Sequence, residues 1–195
     1  MKKTLILLLV SVILIASVYA EKGDRKVTAG IGFANPTYDY RYGDGDYLLQ
    51  GSGFTMSIGY SEEVLKNVLL LGRVSFIGGK VASLEGTVGG AGYSLNGKLQ
   101  ALDSLIGICY QFTIKDRVTI SAGLGFSEHS AHIHSLEAQS STSDIFIGSV
   151  SSVNPFVAII AGLGYLVNEN LSINIDLGGN LTVGIVLTAG VGYKL

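Results

Sequence analysis

The sequence holds one cysteine, Cys109, so an intramolecular disulfide is impossible, and no cysteine stands beside the N-terminal apolar run to carry a lipid. It has no basic patch, which argues against a nucleic-acid partner. It also lacks a second apolar stretch of transmembrane-helix length: the longest, from Phe156 to Val167, is too short and is interrupted by Gly162 and Gly164. Proline is scarce, at two residues, while glycine is abundant at 27. With staples and spanning helices excluded, stability has to come from elsewhere.

The one long apolar run, Leu5 to Val18, follows Lys2 and Lys3 and ends in the small-residue sequence Val18-Tyr19-Ala20. That is the pattern of a cleaved signal peptide. The expected organisation is a signal peptide over residues 1–20 and one domain over 21–195, exported to the cell outer membrane. Without residues 1–20, eleven Lys and Arg stand against fifteen Asp and Glu, a net charge of −4.

Read with a period of two, residues 21–195 resolve into eight segments with one apolar face. The proposed outward series are Val27, Ala29, Ile31, Phe33; Phe54, Met56, Ile58, Tyr60; Leu70, Gly72, Val74, Phe76; and Leu102, Ser104, Ile106, Ile108, Tyr110, Phe112. They continue with Val118, Ile120, Ala122, Leu124, Phe126; Val157, Ile159, Ala161, Leu163, Tyr165; Leu171, Ile173, Ile175, Leu177; and Val183, Ile185, Leu187, Ala189, Val191, Tyr193, Leu195. None of these positions is charged. The alternating positions hold Thr28, Thr55, Ser57, Arg73, Asp103, Gln111, Thr119, Ser121, Asn174, Asp176, Thr188 and Lys194 among many glycines.

A soluble barrel with the apolar face inside and a membrane barrel with it towards lipid both fit strict alternation. In a soluble barrel the second face would be richly charged. Here it is mostly Gly, Ser and Thr, which suit the narrow lumen of an eight-stranded barrel. The pattern predicts an all-β, eight-stranded antiparallel up-and-down transmembrane β-barrel.

Connection lengths agree, with short turns around Ser61 to Asn67, Thr113 to Arg117 and Val167 to Asn170, and long external loops from Ala34 to Gln50, Gly78 to Asn96 and Ser127 to Ser152. The last hairpin, Gly178 to Thr182, reads as a tight turn at the tip of strands extending past the bilayer. Tyr60, Tyr110, Tyr165 and Tyr193 sort to the periplasmic rim, and Phe33, Phe76 and Phe126 to the outer one. Lipid tolerates such a chain only if the sheet closes, because an open edge would leave unpaired backbone groups in hydrocarbon.

The ending Gly190-Val191-Gly192-Tyr193-Lys194-Leu195 resembles the C-terminal signal read by barrel assembly machinery during insertion, with Leu195 in place of the usual Phe. The stretch Phe156 to Tyr165, the following Asn168 to Ile175, the close from Ala189 to Leu195, and the hairpin from Ile106 to Phe126 together resemble the OmpX / Ail / Lom / PagC family of small outer-membrane proteins. The Tyr-Arg-Tyr-Glu pattern frequent in that family after the second strand is replaced here by Gly59-Tyr60-Ser61-Glu62-Glu63. The resemblance implies a monomer in contact with outer-membrane lipid and lipopolysaccharide, and surface recognition of host-cell or matrix proteins through external loops: adhesion, complement resistance or a phage-encoded surface change. It implies no catalysis and no cofactor. A purely structural barrel is the alternative.

Three constellations invite a sharper reading. Glu128, His129, His132 and His134 offer imidazoles at metal-ligating spacing, although a solvated polar loop accounts for them as well. Ser130 or Ser135 with a nearby His and Glu128 or Glu137 would suit a lipid A hydrolase, but no strained nucleophile turn marks one serine. Arg73, Asp103, Asp176 and Lys194 share the lumen face, where Arg73 and Asp176 are expected to meet across it as structural packing. In the first external loop, Tyr38, Tyr40, Tyr42 and Tyr47 form the candidate contact surface, since tyrosine offers large area and a hydroxyl. Packing of an extended strand pair would explain the same tyrosines.

Overall fold

The structure is a computed structural model that describes residues 24–42, 45–82, 86–88, 91–139, 144–180 and 184–195; side chains at 39–48, 82–95 and 138–147 lie outside that description, as do the expected signal peptide and Val183. The strands are β1 (Arg25–Tyr42), β2 (Gly45–Leu65), β3 (Val68–Ala82), β4 (Gly86–Val88), β5 (Ala91–Ile114), β6 (Val118–Gln139), β7 (Asp144–Leu166), β8 (Leu171–Asn180) and β9 (Gly184–Lys194). Eight of them close an all-antiparallel barrel, through β1 against β9 and β3 against β5, and β4 is a short branch paired with β5. No helix occurs among the described residues.

The exposed face carries the proposed outward series wherever it is described, with Phe33 69% and Leu124 62% exposed. Closure gives each backbone group a neighbour, the condition for crossing hydrocarbon. At the end carrying Asp24 and Leu195, tyrosine hydroxyls reach turn residues: Asn67 Nδ2 donates to Tyr110 at 3.3 Å and Arg117 Nη1 to Tyr165 at 3.4 Å. That is the interfacial role expected of an aromatic rim. Lumen width is set locally by glycine. Gly107 faces Gly125, and a Cβ on Gly107 would lie 2.2 Å from Ile160 Cδ1, so this glycine makes room for an isoleucine inside.

The long external loops are corrected to strands. β1 and β2 stay registered through Tyr42 and Gly45, and β6 and β7 through Gln139 and Asp144. At about 3.3 Å per residue and a tilt near 40°, the 22 residues of β6 rise roughly 55 Å, against an apolar belt of about 25 Å. Beyond the belt the outside is water, so the alternation changes sign. Leu49, Val81, Leu99, Ile133 and Val186 point inward and are buried with Tyr38, whereas Lys80, Lys98, Gln100 and His132 point outward. A polar outward face and an apolar inward face is the reverse of the pattern that marks a lipid-facing strand.

The last hairpin departs the other way. β8 and β9 end at Asn180 opposite Gly184, and Gly184 is registered with Pro36, only three residues past Phe33. The described ends of β8 and β9 therefore lie near the rim, while β5, β6 and β7 project well beyond it. The lumen of the membrane half is also less uniformly polar than expected: Leu105, Cys109, Phe156, Ala158 and Ile160 form an apolar wall with Leu69 and Leu71.

Candidate functional site: the lumen layer and the projecting strands

Where the two halves meet, a polar layer crosses the lumen. Asp103 of β5 is its centre. Ser127 Oγ donates to Asp103 Oδ1 at 2.6 Å, Arg73 Nη2 lies 3.6 Å from Asp103 Oδ2, and His129 Nδ1 lies 3.3 Å from Asp103 Oδ1 without hydrogen-bond alignment. Asp103 and His129 are fully enclosed, and the imidazole stacks on Phe156 at 4.8 Å between centroids. His129 sits three residues beyond Phe126, past the lipid belt. Burial pushes its pKa below the ordinary imidazole value; the Asp103 carboxylate opposes that shift and the Arg73 guanidinium adds to it.

Arg73 and Asp176 interact through their charges as expected, and Arg73 also lies against Asp103 on the adjacent strand β5. Arg73 spans the lumen: a Cβ on Gly178 of β8 would lie 2.5 Å from its Nη2. Arg73 and Asp176 both line a chamber of about 90 Å³ below the layer, with Lys26, Thr119, Ser121 and Asn174. Lys26 Nζ donates to Asn174 Oδ1 at 2.5 Å. The spacing of two from Thr28 places Lys26 on the same face. Lys194 is corrected: it pairs with Asp24 at 2.6 Å at the exposed rim.

The candidate contact tyrosines divide. Tyr38 is fully buried in the outer core, so it is packing rather than contact surface; its neighbours in alternation, Ala34 and Pro36, are buried beside it. The side chains of Tyr40, Tyr42 and Tyr47 lie outside the described residues, although their backbones extend the β1 and β2 pairing, Tyr40 opposite Tyr47 and Tyr42 opposite Gly45.

The histidine cluster also divides. His132 and His134 share the outer surface, edge to face with centroids 4.2 Å apart, and His132 Nδ1 lies 2.8 Å from Ser151 Oγ. His129 faces the lumen, and no group of three or more metal-ligating side chains occurs among the described residues. The hydrolase grouping loses His129, which the same alternation turns inside, while Glu128 and Ser130 share the outer face with His132 and His134. Ser135 sits in an irregular stretch of β6 with φ 52°.

Chemically, the layer and the chamber offer compensated charges and hydroxyls sealed from outside by an apolar core. That arrangement suits packing rather than permeation.

Known proteins place this architecture. Neisserial surface protein A is similar in structure at 16% identity, over 89% of this chain and 100% of its own, with a TM-score of 0.54. The attachment invasion locus protein Ail of Yersinia pestis, solved in complex with the heparin analogue sucrose octasulfate, is similar at 18% identity, over 88% of this chain and 99% of its own, with a TM-score of 0.49. No curated protein sequence matches the chain. The family model of the outer membrane protein beta-barrel domain matches residues 5–194, nearly the whole chain. The chain therefore belongs to the outer membrane protein beta-barrel domain family.

Proposed function

We propose that this outer-membrane barrel is a surface-recognition protein whose projecting strand pairs present a contact surface to host-cell or matrix molecules. One observation carries this reading. The part beyond the lipid belt is packed around its own apolar core of Leu99, Ile133, Leu136 and Tyr38, which makes it a stiff platform rather than a set of slack loops. Asn154 Nδ2 also donates across the lumen to the Thr37 carbonyl at 3.2 Å, tying β7 to β1 above the belt. A rigid display loses little entropy on binding. A barrel with a merely structural role has no need of projecting strands built to this standard.

The test is attachment of cells displaying the protein to a panel of matrix proteins. Replacing Asp39, Arg41 and Asp46 together by Ser, with Tyr38 retained, is expected to abolish attachment while heat-modifiable migration on gels, the mark of a folded barrel, persists. Attachment that survives in folded protein removes the first hairpin as the contact element. A wild-type protein that attaches to nothing on the panel, and leaves complement killing unchanged, contradicts the recognition reading.

A further inference from the structure

Below the polar layer the lumen is neither filled nor open at both ends. Its chamber of about 90 Å³ is closed above by Arg73, Leu105 and the outer core, and it reaches down to the part-exposed Ser61 and Gln111, close to the turns at the end that carries Asp24 and Leu195. On one wall β7 contributes only Gly162 and Gly164. Ser121 and Asp176 lean over Gly162, and Thr119 and Asn174 over Gly164, so hydroxyls, an amide and a carboxylate from β6 and β8 converge there. The charge of Arg73 is shared between Asp103 and Asp176, and Lys26 is the chamber's second cation. Even so, the Asp176 carboxylate accepts no hydrogen bond from a described residue, and neither cation comes within ion-pair distance of it. Lys26 Nζ is held instead on Asn174 Oδ1.

A partly buried carboxylate without a partner is costly, and a group that brings positive charge and N–H donors satisfies it better than water does. Asn174 and Asp176 share one face of β8, two residues and so about 7 Å apart, and the Lys26 ammonium sits at Asn174. Cation and anion are thus too far apart to pair directly and well placed for a bridge. Two charge-assisted hydrogen bonds of about 2.8 Å, with an adjoining ammonium and carboxylate between them, span such a gap. The facing wall on β3 is apolar: Leu69 and Leu71, only partly buried, pack on the cluster of Leu105 and Ile160 and leave hydrocarbon towards the same space. Replacing water there by an aliphatic group is favourable. At roughly 10 to 15 Å³ for each water, the chamber has room for the equivalent of about six to nine, the bulk of a small branched amino acid.

We propose that the chamber binds one free α-amino acid with an aliphatic side chain. Its ammonium donates to the Asp176 carboxylate and the Ser121 hydroxyl, its carboxylate accepts from Lys26, and its side chain lies on Leu69 and Leu71. Closure above and access from below make this a pocket rather than a passage. The site lies on the other side of the sealing layer from the proposed recognition surface and stands or falls without it.

The experiment titrates the full barrel in phosphatidylcholine nanodiscs with L-leucine, glycine, isocaproate and isoamylamine, and reads binding from chemical shifts of the isotope-labelled protein. L-Leucine is expected to saturate one site, and glycine, which lacks the aliphatic group, to bind about tenfold more weakly or worse. Asp176→Asn should weaken L-leucine by about tenfold or more and leave isocaproate, which has no ammonium, undiminished. Lys26→Gln should weaken L-leucine similarly and leave isoamylamine, which has no carboxylate, undiminished. Lys194→Gln at the exposed rim should change nothing. Heat-modifiable migration identifies folded samples, and matching each variant with the probe that lacks the corresponding charge separates a lost contact from an altered fold. No saturable shift with any of these probes, which leaves the chamber to water alone, overturns the proposal. So does undiminished L-leucine affinity in folded Asp176→Asn, or glycine that binds as tightly as L-leucine.

Discussion

Near Phe33, Phe76 and Phe126, strands that turn large apolar side chains outward into lipid begin to turn them inward. In the membrane half β5 presents Ile106 and Ile108 outside and Gly107 inside; in the outer half it presents Lys98 and Gln100 outside and Leu99 inside. The hydrogen-bonded ladder continues through the change. One sheet therefore meets two solvents, and in each the hydrophobic effect decides which face is covered. The lesson is mechanical. The membrane half is held by lipid around a thin, partly polar filling, whereas the outer half has a packed core of its own and can project without the bilayer's help.

Mutations can break this contrast. The largest effect is expected for Leu99→Ala and Ile133→Ala, which open cavities in the outer core and should each cost about 2 to 5 kcal/mol of unfolding free energy. Ile108→Ala on the lipid face should cost under about 1 kcal/mol, because lipid tails refill the space. The reverse substitution inverts the order. Ile108→Arg or Ile159→Arg should cost about 2 to 4 kcal/mol near the midplane, while Gln100→Arg, in water, should stay within about 0.5 kcal/mol. Urea titrations of the barrel folded in lipid measure all of these, and equal tolerance on the two faces of β5 would refute the change of sign.

The polar layer between the halves gives a sharper handle. Native His129 binds its proton less readily than it does in the unfolded chain. Stability is therefore full above the ordinary imidazole pKa of about 6.5 and falls as pH drops below it. Acid titration of stability should show this decline, and His129→Phe should flatten it. The sealed lumen also predicts little or no steady conductance in planar bilayers, because the outer core closes the barrel above a chamber of about 90 Å³. A comparably small effect is expected for Lys194→Ala, whose exposed pair with Asp24 should be worth at most about 1 kcal/mol.

The membrane half was legible in the sequence because its signal is redundant: each lipid-facing series repeats the same uncharged alternation from Val27 to Leu195. The outer strands were read as loops for a physical reason. Their polar face looks outward, so Lys80, Gln100 and His132 resembled loop residues, although Val81, Leu99 and Ile133 kept the period of two on the other side. A search for alternation of either sign would have found them and would have put Tyr38 inside. The Asp103, Ser127 and His129 grouping was not legible, since register across β5 and β6 fixes it and a slip of one residue would turn every partner to the other face. Parity shows the lumen charges and the approach of Arg73 to Asp176, but the contact of Arg73 with Asp103 follows from the register of β3 with β5.

The most direct test is a cysteine scan of β5 from Lys98 to Ile108 in a Cys109→Ser background, each variant carrying an environment-sensitive fluorophore and exposed in turn to a lipid-borne and a water-soluble quencher. The account predicts lipid quenching at 106 and 108, aqueous quenching at 98 and 100, and protection from both at 99, 103 and 105. Aqueous quenching at 99, or lipid quenching at 98 and 100 equal to that at 108, would contradict it.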